Sequence, residues 1–153
     1  MPNTQAIGVA YSDQIISGGT VDNSPIGLAT PSTIEGTTVY ADTEIGYGTP
    51  AQGAVTQLTS KSTGVTLNTS AGQITMNNAS LATVTNVTFT LTNSLLSAKD
   101  VLILNVSGAA TAGAYNCWVS SMAAGSATIT LRNISGGSLS EAVVLNFAII
   151  HCA

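Results

Sequence analysis

The side chains with chemical potential in this chain are few. His151 is the only histidine of the 153 residues. Any Ser-His-Asp relay would have to run through it, and no Gly-flanked nucleophile elbow accompanies it. The simpler reading is a residue of the last strand. Cys117, His151 and Cys152 give three soft ligands and no CxxC pair, fewer than a closed zinc site needs. Asp42 and Glu44 stand two apart and would share one face of an extended segment. Paired carboxylates serve acid–base chemistry in glycosidases, but an acidic pair more commonly faces water or a partner's Lys or Arg. The Gly-rich stretches lack the GK[ST] ending of a phosphate loop. These patterns predict no enzyme, no metal and no cofactor. A small hydrolase or carbohydrate enzyme is the weakest of the readings considered.

Trp118 belongs to a different chemistry. If Tyr115, Cys117 and Val119 face a core, strand alternation turns Trp118 outward. There it would stack on a sugar ring or anchor a protein contact.

The elements that hold these residues are β in character. Charged residues make up 7% of the chain against a hydrophobic 44%. That is far from the low-hydrophobicity, high-charge pattern of disorder. The polar remainder is mainly Thr, Ser, Asn and Gly, which suits strands with hydroxyl-rich outer faces. Period-two segments are expected at 54–59, 65–68, 73–76, 86–91, 101–106, 114–121, 127–132 and 143–150. Turn-like separators such as Ser70-Ala71-Gly72 and Ser135-Gly136-Gly137-Ser138 lie between them. The pattern predicts an all-β, antiparallel sandwich or jelly roll. Val87, Phe89 and Leu91 should face the core, as should Ala127, Ile129 and Leu131. Val101-Leu102-Ile103-Leu104 is apolar on both faces, so it should be a central strand or meet a subunit. Val143, Val144, Leu145, Phe147, Ile149 and Ile150 are all expected to be buried in the last strand.

The N-terminal third reads differently. Residues 1–60 carry Asp13, Asp22, Glu35, Asp42 and Glu44 and no Lys or Arg. They are punctuated by Gly, Thr and Pro, with short strands conceivable only at 37–40 and 44–47. Their apolar residues are too few for a separate core. The division expected is an extended arm at 1–52 that docks or intertwines with surfaces outside its own chain, and a β-sandwich domain at 53–153. The candidate interface residues of that arm are Tyr11, Ile26, Leu28, Ile34, Val39, Tyr40, Asp42 and Glu44. Trp118 is the candidate contact on the exposed surface.

Three bases in the whole chain argue against nucleic acid. The start Met1-Pro2-Asn3-Thr4-Gln5 has no basic n-region leading into an apolar h-region. The longest apolar run, 142–150, is broken by Asn146 and is short for a membrane span. A reducing cytosol, with Cys117 and Cys152 as reduced and buried thiols, is therefore the expected setting.

The segment Gly18-Gly19-Thr20-Val21-Asp22-Asn23-Ser24-Pro25-Ile26-Gly27, followed by Ala29-Thr30-Pro31-Ser32-Thr33, resembles a motif of tail fibres and head fibres of tailed bacteriophages. Thr59-Ser60-Lys61-Ser62-Thr63-Gly64-Val65-Thr66-Leu67-Asn68, Gly72-Gln73-Ile74-Thr75-Met76 and Asn133-Ile134-Ser135-Gly136-Gly137-Ser138-Leu139-Ser140-Glu141-Ala142 are similar to a module of phage virion proteins. That resemblance implies a homotrimer in the virion. It further implies a capsid decoration, cement or head-fibre protein bound to the major capsid protein. The alternative it leaves open is a tail fibre or receptor-binding tip that recognises host glycans through loops near 107–113 and 135–140.

Overall fold

The computed structural model describes residues 36 and 38–152. Eight strands form where period-two alternation predicts them: β1 (Gln52–Thr56), β2 (Val65–Thr66), β3 (Ala71–Thr75), β4 (Asn86–Thr92), β5 (Val101–Gly108), β6 (Tyr115–Ala123), β7 (Ser126–Asn133) and β8 (Val144–Ile150). A single 3-10 turn at Thr49–Ala51, with Pro50 in its first turn, leads into β1. All eight strands belong to one compact unit, Thr43–Ala153. The segments expected as short strands near 37–40 and 44–47 carry no regular structure among their described residues. Their Gly-interrupted sequence offers no continuous alternating face to pair.

The strands make two four-stranded sheets, ordered β1-β3-β8-β5 and β2-β4-β7-β6. They are packed together over one apolar core. The sheets are mixed, not wholly antiparallel, because β1 pairs parallel with β3 and β2 with β4. The cause is the path of the chain. From β1 to β6 every connection passes to the other sheet. Each crossing reverses direction, so strands two apart in sequence run the same way. Among the described strands only β6 and β7 form a hairpin, with Gly125 at φ 78° in the turn, a left-handed conformation that costs glycine nothing.

The core follows the alternation. Phe89, Leu91, Ala127, Ile129 and Leu131 are buried, with Val87 packed against them. From the other sheet come Ile74, Leu102, Leu145, Phe147 and Ile149. The last strand is narrower in its burial than expected: Val143, Leu145, Phe147 and Ile149 are buried, whereas Val144 is half-buried and Ile150 is exposed. A strand with one solvated face can hide only every second residue.

Two glycines let the first sheet close. Gly53 and Gly72 are partners across the β1–β3 ladder. A Cβ on Gly72 would stand 2.8 Å from the Gly53 carbonyl oxygen and 2.8 Å from Leu67 Cδ2. Leu67 therefore seats where a side chain on either strand would exclude it. Asn93 and Asn133, both fully buried, fix the turns. Asn93 donates to the Thr69 carbonyl and accepts from the Leu95 N–H, while Asn133 donates to the carbonyls of Leu81 and Gly137.

Candidate interaction surfaces

The strand β5 is an edge, not a centre. It pairs with β8 on one side only, which corrects one of the two placements expected for its doubly apolar sequence. Leu102 turns inward and Leu104 packs on the core, while Val101 and Ile103 are each 51% exposed. Their neighbour across the ladder, Ile150, is equally exposed. No residue of Val101–Gly108 is charged, although edge strands are usually guarded by charge or proline. The outer surface at this end is closed off by Ile45, Gly46 and Tyr47. With Ile103, Ala148, Ile150 and His151 they line an open groove of about 530 Å³. The Tyr47 hydroxyl donates to the Ile149 carbonyl, which pins the segment over β8. Ile45 stays almost wholly exposed.

Beside this patch, the end of the described chain is clasped. Asp100, its side chain 2% exposed, accepts from the Ser97 N–H and hydroxyl, both at 2.8 Å. It also accepts from the Cys152 N–H at 3.1 Å and from His151 Nδ1 at 3.0 Å. The Ser97 backbone N–H, with the Cys152 N–H, the Ser97 hydroxyl and His151, holds the Asp100 carboxyl well below the usual carboxylate range, against an opposing effect of desolvation. Ser97, Asp100 and His151 are the residue types of a hydrolytic triad. Here, though, both serine and histidine address the acid, and Ser97 spends its proton on Asp100. The group ties the β8 terminus to the turn before β5. Sequence reasoning placed His151 in the last strand and missed Asp100, which stands 51 positions away.

A second polar group lies inside the fold. Lys61 is 3% exposed, although a lysine between two serines reads as a solvated turn. Its ammonium donates to the carbonyls of Asn77 and Glu141, and burial lowers its pKa against the opposing pull of Glu141. Gln57, also buried, donates to the carbonyls of Lys61 and Thr63 and accepts from the Asn77 N–H. Glu141 accepts from the Thr111 hydroxyl at 2.7 Å, which helps keep its carboxyl ionised. Burial, and then Glu141, pushes the Tyr115 phenol up. These contacts join the turn after β1 to the segments flanking β3 and β8, a structural task.

The other expected positions divide. Tyr11, Ile26, Leu28 and Ile34 lie outside the described residues. Val39, Tyr40, Asp42 and Glu44 are all exposed and lie outside any strand. Trp118 points outward from β6, while Tyr115, Cys117, Val119 and Met122 pack on the core. Both cysteines are free; Cys117 is half-buried and its thiol is pushed up by desolvation. Cys152 is exposed rather than buried, because it lies beyond the last ladder pair. Among the described residues no three of His, Cys, Asp and Glu gather where they could hold a metal. No helix among them is long and apolar enough to cross a membrane. Comparison with family models, with curated proteins and with solved structures gave no match.

Proposed function

We propose that this chain is a non-enzymatic structural protein of a tailed-bacteriophage particle that decorates or cements the capsid. In this reading it assembles as a homotrimer, docks on the major capsid protein through the arm 1–52, and displays the sandwich on the virion surface. One observation carries the proposal. Ile45, Val101, Ile103 and Ile150 are exposed on one end of one sheet, along an edge strand without a charge. Such a patch gains from being covered, at roughly 25 cal/mol per Å² of apolar surface removed from water. The acidic, Lys- and Arg-free stretch before Lys61 suits a basic shell surface. The fibre-like and virion-like sequence segments point to the same setting.

Cementing would work by mass action. A protein that bridges neighbouring subunits binds only the assembled shell, so it stabilises that state by RT ln(1 + [L]/Kd). The test is to assemble capsids with and without the protein and expose them to heat and osmotic shock. Added protein should raise the disruption temperature. Equal resistance in both samples rejects cementing.

The receptor-tip alternative has one observation of its own. The loop between β5 and β6 frames an open depression of about 320 Å³ lined by Ser107, Thr111 and Tyr115 among others. Copy number separates the two readings, with hundreds of copies expected on a shell and a few at a tail tip.

A further inference from the structure

The outer face of β4, β7 and β6 has a composition that neither the core nor the capsid reading uses. Its outward positions are Asn86, Thr88, Thr90 and Thr92 on β4, then Ser126, Thr128, Thr130 and Arg132 on β7, then Asn116, Trp118, Ser120, Ser121 and Ala123 on β6. No aliphatic side chain larger than the Ala123 methyl stands among these positions. The pairing register sets two rows of three across the strands. Asn86, Arg132 and Asn116 form one row, and Thr88, Thr130 and Trp118 form the next.

The polar groups of the two rows are used differently. Thr130 is buried and bonds Thr88 at 3.1 Å and the hydroxyl of Ser120, so the second row forms a fixed floor beside the indole. In the first row, Asn86 and Asn116 are exposed, and their amides are open to water. Arg132 Nε is shielded from solvent and unpartnered, on a residue that pairs with Asn86 on one side and Asn116 on the other. The shielded, unpartnered Arg132 Nε and two water-served amides beside a flat indole leave hydrogen-bonding capacity for a ligand to take up.

We propose that this face binds a glycan, with a pyranose ring laid on the indole of Trp118 and its hydroxyls bonded by Asn116, Arg132 and Asn86. The C–H face of a sugar is apolar and needs a flat partner, while its rim of hydroxyls needs donors and acceptors within the same ring's reach. Diagonal cross-strand neighbours such as Trp118 and Arg132 lie about 7–8 Å apart, and direct neighbours such as Arg132 and Asn116 about 5 Å. A protein partner would look for a broad aliphatic patch such as the one around Ile103, whereas the large exposed aliphatics nearest this face, Val84 and Ile134, lie past the strand ends. A nucleic acid also stacks on indoles, but it requires clustered cations, and Arg132 is the only one among these positions. The inference does not rest on the capsid reading, because its surface lies on the opposite sheet.

Trp118 is the only tryptophan of the chain, so its emission reports this surface alone. The full-length protein is titrated with chitohexaose, cellohexaose, mannohexaose and hexagalacturonate, with calorimetry alongside. At least one should shift the emission saturably. Trp118→Ala should weaken that binding about tenfold or more, and Asn116→Ala, at an exposed amide, should weaken it less at an unchanged melting temperature. Ile103→Ser, on the other sheet, should leave it intact. The proposal is overturned if none of the four sugars moves the emission, or if binding persists at full strength in Trp118→Ala. It is also overturned if only hexagalacturonate binds, is released by salt, and does not require the indole.

Discussion

At the β5 end of the first sheet, the outward residues are Val101, Ile103 and Ile150, with Ile45 beside them. On the second sheet the outward residues of β4 and β7 are Thr, Asn, Ser and Arg, and β6 adds Asn, Trp, Ser and Ala. Both faces come from the same two-residue alternation and both lie over one core. What separates them is the choice made at the positions the core does not need. A sheet face that water alone must satisfy is filled with hydroxyls and amides. Aliphatics kept outside, at half exposure or more, remain a cost until something covers them. Within one small fold, the first face is suited to a dry contact and the second to a wet one.

The contrast is tested most severely by removing β8. Deleting residues 143–153 takes away the strand that joins β3 to β5. It also removes four buried side chains worth about 1.5–3 kcal/mol each, enough to exhaust a domain's stability. No cooperative melt should remain by calorimetry or circular dichroism. If β4, β7 and β6 still melted as a unit, the second sheet would be autonomous and the shared core would be less important than described.

Gly72→Ala asks whether the first sheet depends on close backbone approach. The new methyl meets the Gly53 carbonyl and Leu67 at 2.8 Å. A loss of about 1–3 kcal/mol is expected, read as a lower denaturant midpoint with an unchanged slope. Gly137→Ala, where a Cβ meets nothing within 4 Å, is the control and should be nearly neutral.

The clasp at Asp100 sharpens the comparison through pH. Its folded pKa lies below the unfolded value of about 3.9. The unfolded chain therefore takes up the proton first as pH falls, and the stability present above about pH 4 drains away toward the folded pKa. Asp100→Asn should flatten that part of the acid-unfolding curve. An unchanged slope would mean that Glu141, whose carboxyl is also held down, carries the effect alone.

The smallest effects on the fold are expected at the faces themselves. Ile103→Ser should change monomer stability by about 0.5 kcal/mol or less, and Trp118→Ser, whose indole is 36% exposed, by about 1 kcal/mol. If the Ile103 face is where copies meet, light scattering should show self-association lost only in Ile103→Ser. Equal loss in both would abolish the proposed division between the faces.

Much of the β framework was legible from alternation. All eight strands fall near their expected places, and the outward turn of Trp118 follows from Tyr115, Cys117 and Val119 facing in. Partners were not legible, because a period of two assigns a face and says nothing of neighbours. Val101-Leu102-Ile103-Leu104 shows this: apolar on both sides, it reads equally as a centre or as an edge awaiting cover. The parallel pairs were missed for the same reason, since only the crossing path produces them. The clasp joins Asp100 to His151 across 51 positions, and no local pattern encodes such a meeting. Lys61 was hidden by its own residue type, because the carbonyls that satisfy it belong to Asn77 and Glu141.

The repeated passage of the chain between layers has a kinetic consequence. With a lone hairpin at β6–β7 among the described strands, almost no stretch can gain native pairing from its immediate neighbours. Productive collapse must wait for distant segments to find one another, which places this domain among slow folders, in the millisecond-to-second range. The same threading should make the finished domain hard to prise open by a pull at right angles to the sheets, since each layer is sewn to the other several times over.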